Sequence, residues 1–198
     1  MVFKKNMKNS FILLIISSIL LFSCSKKEVA NERTKVAIHK PILLDVYDYK
    51  VIVKDEGIVI PNYLGFDANF LIQELTDWGN NKFKVKGVEN SLSLIIQNFS
   101  LKKKNIKKYK GLKKIFFSEE KIEYNLKLEL SLEFIDKANN ANTLNLKGNI
   151  SFFIDDSHSI NKKRKFLLAS YYELIKKIDK TLENQIKKEA FSKFRIIL

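Results

Sequence analysis

One short segment of the sequence brings an acid, a histidine and a hydroxyl close together: DDSHS, residues 155–159. A catalytic triad or a metal site would need these groups to converge on one point, whereas neighbouring residues of an extended segment point apart. Asp and Ser are also common in turns, where their side chains bond to nearby backbone groups. We therefore interpret the segment as a polar turn after a strand. The other histidine, His39, has no comparable neighbours.

The rest of the sequence offers little for a catalytic or metal centre. Glu119 and Glu120 are adjacent in sequence, and the chain has neither a phosphate-cradling glycine loop nor zinc-type spacing. Residues far apart in sequence can still assemble an active site. From these patterns we predict that the protein is not an enzyme, and we expect no cofactor and no metal.

The segment LKKKNIKKYKGLKK, residues 101–114, holds eight lysines together with Ile106 and Tyr109. One interpretation is a cationic loop that contacts lipopolysaccharide, acidic lipid headgroups or DNA. The other is a solvated connection whose charge discourages edge pairing of the flanking strands, which is the commoner outcome for runs of like charge. The candidate anion contacts are Lys102, Lys103, Lys104, Lys107, Lys108 and Lys110.

Cys24 is the single cysteine, so neither a disulfide within the chain nor a cysteine-based zinc site can form. It follows an apolar segment, residues 11–22, which is preceded by Lys4, Lys5 and Lys8 without any acid. This order is typical of a secretory signal peptide, and the apolar segment is shorter than the roughly 20 residues that span a bilayer. We predict a cleaved signal peptide over residues 1–23.

The residues directly before Cys24 carry a more specific motif. Leu21, Phe22, Ser23 and Cys24 resemble the lipobox of bacterial lipoproteins. The resemblance implies a diacylglycerol thioether on Cys24, cleavage before it, and acylation of the new N-terminus with a fatty acid such as palmitate; several acyl chains anchor a protein stably. Ser25 stands where inner-membrane lipoproteins commonly carry aspartate, so the resemblance implies the periplasmic side of the outer membrane, with the inner membrane as the alternative.

Cleavage before Cys24 would leave 198 − 23 = 175 residues, enough for one domain with a real core. The formal charge would fall from +14 to +11, because the signal holds three lysines. This excess permits anionic partners. However, only three basic residues are arginine, the usual choice for bidentate phosphate contacts, so nucleic acid is not the expected partner. We interpret residues 24–40 as a lipidated tether and residues 41–198 as a single domain.

Hydrophobic spacing predicts the elements of that domain. ILLDVYDYKVIV, residues 42–53, is rich in β-branched and aromatic residues and predicts one strand. Helical spacing of Phe70, Leu71, Leu75 and Trp78 predicts a short amphipathic helix, with Asp67 as its cap and Gly79 just past its end. Trp78 lies on the apolar stripe, which predicts a core position.

The clearest pattern is strict alternation over residues 122–134, where apolar side chains take every even position. This predicts a strand with one buried face, paired as a hairpin with a similar segment that includes Leu144 to Ile154. In the preceding segment the alternation shifts between Ile96 and Phe99, and we expect a hairpin or bulge near residues 88–91 to cause it. The last segment, residues 163–194, has the stripe of a long amphipathic helix.

This order predicts an α+β fold in which an antiparallel sheet of about four strands is covered on one face by two amphipathic helices. Three stretches, PILLDVYDYKV, GLKKIFFSEEKIEYNLKLEL and YYELIKKIDKTLENQIKK, resemble small, largely uncharacterised envelope lipoproteins of Gram-negative bacteria. At the level of fold, the order is also similar to auxiliary lipoproteins of ABC-type transport and of lipopolysaccharide assembly.

The resemblance implies a non-enzymatic accessory or binding protein in envelope biogenesis or lipid transport. Its expected partners are the membrane, through the lipid on Cys24, and another envelope protein. The alternative is a lipoprotein that binds a polyanion, either DNA or an acidic envelope polymer, through residues 101–114.

Overall fold

The computed structural model describes residues 40–61, 67–106, 121–187, 191 and 194, all within the unit Lys35–Leu198. The predicted signal peptide, Cys24 and most of the predicted tether lie outside the described residues. The strands are β1 (Ile42–Leu44), β2 (Asp48–Val53), β3 (Ile58–Val59), β4 (Phe83–Val85), β5 (Ser91–Ile106), β6 (Lys121–Ile135) and β7 (Ala141–Asp155). The helices are α1 (Ala68–Lys82) and α2 (Ile160–Gln185), with a 3₁₀ turn at Asp55–Gly57.

The main sheet is mixed, with five strands, and not the antiparallel sheet of about four strands that we predicted. Strands β5, β6 and β7 form the expected antiparallel meander. Strands β2 and β3, however, both pair with β5 in parallel, and β1 pairs with β4 in a separate two-stranded parallel sheet. The parallel pairing arises because the chain crosses back through α1 before it reaches β5, as parallel neighbours require. The α+β class itself is confirmed.

The predicted strand over residues 42–53 is divided between the two sheets. The backbone leaves β1 at Asp45, whose N–H donates to Phe194 O at 2.9 Å, and re-enters a strand at Asp48. Between them, Tyr47 N–H donates to Glu89 O at 2.8 Å and to Asn90 O at 3.0 Å. These hydrogen bonds hold the connection between β1 and β2 against the start of β5. Because they come from distant residues, the strand propensity of residues 42–53 could not indicate that the strand is interrupted.

The shift of the alternation in β5 is a bulge, but its position differs from our prediction. The pairing of β5 with β6 shifts register between Ile96 and Asn98, which makes Gln97 the extra residue. The predicted position, near residues 88–91, is instead a turn in which Asn90 adopts a φ of 64°. Because of the bulge, Ile96 and Phe99 face the same side of the sheet although they are three residues apart.

The hairpin of β6 and β7 is confirmed, and its register is unbroken from Lys121↔Asp155 to Ile135↔Ala141. Its turn is held by Asp136, whose carboxylate accepts hydrogen bonds from Ala138 N at 3.0 Å and Asn140 N at 2.9 Å. Asn139 takes the left-handed conformation at φ 62°, which asparagine tolerates better than most residues.

Helix α1 begins as predicted, since the Asp67 carboxylate accepts from Asn69 N at 3.0 Å. It continues to Lys82, so Gly79 lies inside the helix and not past its end. A Cβ at Gly79 would lie 2.6 Å from Tyr49 Oη and 2.7 Å from Leu94 Cδ2. The glycine therefore serves the close approach of α1 to the sheet. Helix α2 ends at Gln185, earlier than the predicted residue 194.

Both helices cover the same face of the main sheet. Gly79 of α1 meets Leu94 of β5, and Gly148 of β7 meets Leu174 of α2. The helices also contact each other, because Tyr171 Oη donates to Leu71 O at 2.9 Å. The core contains Trp78 and the alternate residues of β6, as the sequence predicted. Among the described residues, no helix is both long and apolar enough to cross a membrane.

Candidate interaction surfaces

Three of the six lysines that we singled out as anion contacts lie in a strand, so part of the predicted loop is wrong. Residues 101–106 continue β5, with Leu101 buried and Lys102, Lys103 and Lys104 exposed. Lys107, Lys108 and Lys110 lie outside the described residues. The anion-binding role of all six stays a prediction.

Strand alternation divides the three described lysines. Lys103 is paired with Tyr124, which belongs to the helix-covered face, so Lys102 and Lys104 belong to the other, open face. Tyr124 stacks on Phe152, with ring centroids 5.4 Å apart. Burial raises the pKa of Tyr124, and the nearby charge of Asp156 raises it further. The helix-covered face of this lysine-bearing end therefore holds a stacked aromatic pair, Tyr124 and Phe152, close to the charge of Asp156.

The DDSHS segment lies at the same end and is a polar turn, as predicted. Ser159 caps α2, because its hydroxyl oxygen accepts from Lys162 N at 3.4 Å. His158 Nε2 lies 2.9 Å from Lys162 Nζ, and the ammonium can only donate, so Nε2 accepts. The same nitrogen is 3.7 Å from Asp155 Oδ2, and the ring stacks on Phe166. Ser159 is occupied by capping and His158 by Lys162, which does not resemble a nucleophilic triad.

No group of three or more metal-binding side chains is present among the residues that the structure describes. At the turn, Lys163 Nζ instead binds Asp156 twice, at 2.8 Å to the backbone oxygen and 3.0 Å to Oδ1. Of the two acids of DDSHS, Asp156 is therefore paired with Lys163 of α2, whereas Asp155 Oδ1 lies 3.9 Å from Lys121 Nζ on β6. This arrangement joins the end of β7 to the start of α2.

The lysine-bearing end and the first described residues lie at opposite ends of the sheet. Asn90 Nδ2 donates to Asp45 O at 2.9 Å, and Asn90 Oδ1 accepts from Lys137 N at 3.2 Å, so the segment after β1 lies beside the β6–β7 turn. Strand β6 spans 15 residues from that turn to the lysine-bearing end. At about 3.3 Å per residue, the two ends are roughly 45 Å apart.

A buried ion cluster, which the sequence did not reveal, fixes the end of α1 to α2. Lys82 is 0% exposed, and its Nζ lies 2.9 Å from Asp179 Oδ1 and 2.6 Å from Glu183 Oε1. Nζ donates hydrogen bonds to Glu183 Oε1 and, at 3.3 Å, to Lys40 O, while Asp179 contributes as an opposite charge at ion-pair distance. The two acids and the carbonyl oxygen together offset the cost of burying the ammonium.

One signal could have indicated the cluster. Asp179 lies four residues after Ile175 and seven before Ile186, so it belongs to the apolar stripe of α2 as an isolated acid. An acid in such a stripe requires a cation. The sequence could not show that the cation is Lys82, because the pairing spans about a hundred residues and depends on the helix packing.

In the middle of β6 and β7, the open face of the sheet carries polar side chains and paired charges. Glu129 Oε1 lies 2.8 Å from Lys127 Nζ on its own strand and 3.6 Å from Lys147 Nζ on β7. The hydrogen bond from Lys127 is the largest cause that lowers the pKa of Glu129, followed by the charges of both lysines. Ser131 Oγ donates to Asn145 Oδ1 at 3.1 Å. This part of the face carries no concentrated charge of either sign.

Comparison with known proteins gives likenesses of limited extent. No protein-family model and no curated protein matches the chain. Among solved structures, the chain is similar to rare lipoprotein B from Shewanella oneidensis, at 17% identity over 70% of this chain and 93% of that one, with a TM-score of 0.37.

Two further solved structures also resemble the chain at low identity and low TM-score. A minor lipoprotein from Acinetobacter baumannii has 8% identity over 76% of this chain and 96% of that one, with a TM-score of 0.36. A lipoprotein from Neisseria meningitidis has 10% identity over 66% and 98%, with a TM-score of 0.24. All three are bacterial lipoproteins, but structural similarity at TM-scores this low carries no argument about role.

Proposed function

We propose that the protein is a lipid-anchored, non-enzymatic accessory protein on the periplasmic side of the outer membrane, which binds another envelope component in envelope biogenesis or lipid transport. The lipobox-like sequence Leu21 to Cys24 supports the anchor. The observation that supports a binding role is the two-ended arrangement of the domain. The chain leads into the domain at one end of the sheet, and Lys102 and Lys104 are exposed at the other.

This arrangement suits a protein that reaches from a membrane to a partner. If Cys24 is anchored, residues 24–40 can extend by at most roughly 60 Å, and the sheet adds roughly 45 Å. The lysine-bearing end can then meet components well beyond the anchoring leaflet.

The anchor is tested by replacing Cys24. Cys24→Ala should abolish incorporation of radiolabelled palmitate and release the protein from the membrane fraction. Ser25→Asp is the matched variant, because it keeps the thiol but should move the protein from the outer to the inner membrane. Unchanged palmitate labelling of Cys24→Ala, or inner-membrane fractionation of the unaltered protein, would contradict the proposed anchor or its proposed membrane.

The binding role is tested by copurification from membranes after cross-linking in intact cells. We expect a stoichiometric envelope protein whose recovery falls when Lys102 and Lys104 are both changed to glutamate. The control is the same change at Lys176 and Lys177, which are exposed on α2. Equal loss in both double variants would mean that the effect is one of net charge and not of this end of the sheet.

The second candidate function is polyanion binding, which is favoured by the exposure of Lys102 and Lys104 next to the remaining lysines of residues 101–114. The affinity of such a site falls steeply with salt, because binding releases condensed counterions. The purified protein should then retain DNA or an acidic polymer at low ionic strength. No retention at any salt concentration would remove this candidate.

A further inference from the structure

We propose that the free edge of β7 is a docking site for an extended segment of a partner protein, which adds to the sheet as a further strand. In the described part of the chain, β7 pairs with β6 alone. It is 15 residues long, which is about three times the usual length of a strand. Its outer backbone groups therefore form an unusually long row of hydrogen-bonding partners.

The hydrogen bonds of the hairpin turn show which residues of β7 direct their backbone N–H and C=O groups away from β6. Asp136 N donates to Asn140 O at 3.1 Å, and this pair continues the register Ile135↔Ala141. Bonded pairs recur at every second residue of an antiparallel ladder, so the even-numbered residues of β7 bond to β6. The odd-numbered residues, among them Asn145, Lys147 and Asn149, direct their N–H and C=O groups away from the sheet.

This edge has few of the features by which proteins block strand addition. The segment Ala141–Asp155 contains no proline, and its register with β6 shows no bulge. Its single lysine, Lys147, lies with its Nζ 3.6 Å from Glu129 on the neighbouring strand, so it is drawn over the open face and not across the edge. Long, regular edges without such protection are templates for added strands.

The side chains along the edge indicate the kind of segment that fits. On the helix-covered face, Ile150 and Phe152 are only half-buried, so apolar residues of an added strand would complete their burial. On the open face, Asn145, Lys147 and Asn149 are exposed and would meet polar residues. An acid opposite Lys147 would share its ammonium with Glu129. The expected occupant is a strand that alternates apolar residues with polar or acidic ones.

A second copy of the chain does not fit the centre of this edge. A Cβ at Gly148, the middle residue of β7, would lie 2.7 Å from Leu174 Cδ1, so α2 runs directly over the edge strand. Two copies joined at Gly148 would place two helices, each about 10 Å across, over strands about 4.8 Å apart. A single extended segment has no such conflict.

The test uses the full-length protein in detergent and a fluorescent nine-residue peptide in which valine alternates with threonine and glutamate. The peptide should bind, and the same peptide N-methylated at alternate backbone amides should not. Asn149→Pro removes one outward N–H and should weaken binding by about tenfold, since a strand-addition hydrogen bond and its neighbours are lost. Asn149→Ala keeps that N–H and should bind within about twofold of the unaltered protein.

Amide exchange supplies a measurement that needs no variant. Saturating peptide should slow exchange at Asn145, Lys147 and Asn149 and leave the even-numbered amides unchanged. Absence of peptide binding, equal binding by Asn149→Pro and Asn149→Ala, or unchanged exchange at these amides would overturn the proposal. Self-association abolished by Asn149→Pro would identify a second copy as the occupant and overturn it as well. The inference rests on the proposed function, because it describes the segment by which a partner would bind. Its test uses neither the lipid anchor nor intact cells, so strand addition and the proposed function can fail separately.

Discussion

The two faces of the main sheet are built from the same strands but are held by different forces. Along β6, Leu128 and Leu130 on the helix-covered face are both 0% exposed, whereas Glu129 between them lies beside two lysines on the open face. Burial of an apolar side chain contributes about 1.5–3 kcal/mol, and an exposed ion pair contributes below about 1 kcal/mol. The covered face therefore determines stability, and the open face is available for contacts with other molecules.

The largest expected effect comes from placing a charge on the covered face. Leu128→Asp must either bury a carboxylate without a cation or expel it, at a cost of several kcal/mol against a total stability of about 5–15 kcal/mol. Thermal unfolding followed by circular dichroism should show a large loss or no folded state. Lys127→Gln, on the open face of the same strand, is the control. Similar melting temperatures for the two variants would contradict the assignment of the faces.

The next effect concerns the buried ion cluster of the helix layer. Lys82→Met leaves Asp179 buried without its cation and should cost about 3–5 kcal/mol. Adding Asp179→Leu should restore much of the loss, because the buried charge is then removed as well. Lys84→Met, at an exposed position two residues later, should change stability by less than about 0.5 kcal/mol. Denaturant titrations measure all of these changes in the free energy of unfolding. A Lys82→Met variant as stable as Lys84→Met would show that the ion cluster does not stabilise the packing of α1 on α2.

A smaller effect is expected from removing the hydroxyl groups of two tyrosines that lie between the helices and the sheet, and it should differ between the two. Tyr171→Phe loses the hydrogen bond to Leu71 O and should cost about 1 kcal/mol. Tyr49→Phe should be neutral or stabilising, because the buried Tyr49 hydroxyl has no hydrogen-bond partner among the described residues. If Tyr49→Phe proves the more damaging of the two in denaturant titrations, the packing of α1 on β2 is not as described.

The same tyrosines give a pH dependence. Burial raises the pKa of Tyr49 and of Tyr171 above the ordinary 10.0. A raised pKa in the folded state means that the stabilisation is complete below pH 10 and is lost as the pH rises through the folded pKa. The unaltered protein should therefore lose stability in alkali, and the double variant Tyr49→Phe with Tyr171→Phe should lose less. Equal alkaline losses would show that other groups control this transition.

The smallest effect belongs to the open face. Glu129→Gln should cost below about 1 kcal/mol near neutral pH, since Lys127 and Lys147 stabilise the charged form. Because the pKa of Glu129 is lowered in the folded state, the difference should persist above the ordinary value of 4.5 and vanish as the pH falls below the folded pKa. It should also shrink in high salt. A loss that is independent of salt and pH would mean that Glu129 acts through packing.

The sequence was most informative where the structure is local. Strict alternation from Ile122 to Phe134 identified both the strand and its buried face, and Asp67 identified the start of α1. These features depend on neighbours within a few residues, so the pattern and the structure have the same cause. The apolar stripe of α2 was identified for the same reason.

Most of the features that the sequence did not predict depend on contacts between distant segments. The parallel pairing of β2 with β5 depends on how α1 crosses, and Gly79 inside α1 is explained only by Tyr49 and Leu94. The cluster around Lys82 joins two helices that are far apart in sequence. The candidate surfaces were predicted in part, because the lysines were evident in the sequence whereas their position along β5 was not.

The topology also implies an order of assembly. The turn between β6 and β7 spans five residues, so that hairpin closes with little loss of chain entropy, whereas Val51 pairs with Leu94 only after a detour of 43 residues. Contacts between distant residues form more slowly than local ones. We therefore expect the C-terminal meander to form first and to serve as the template onto which β2 and β3 dock. The strands that leave the ribosome earliest are then among the last to be paired.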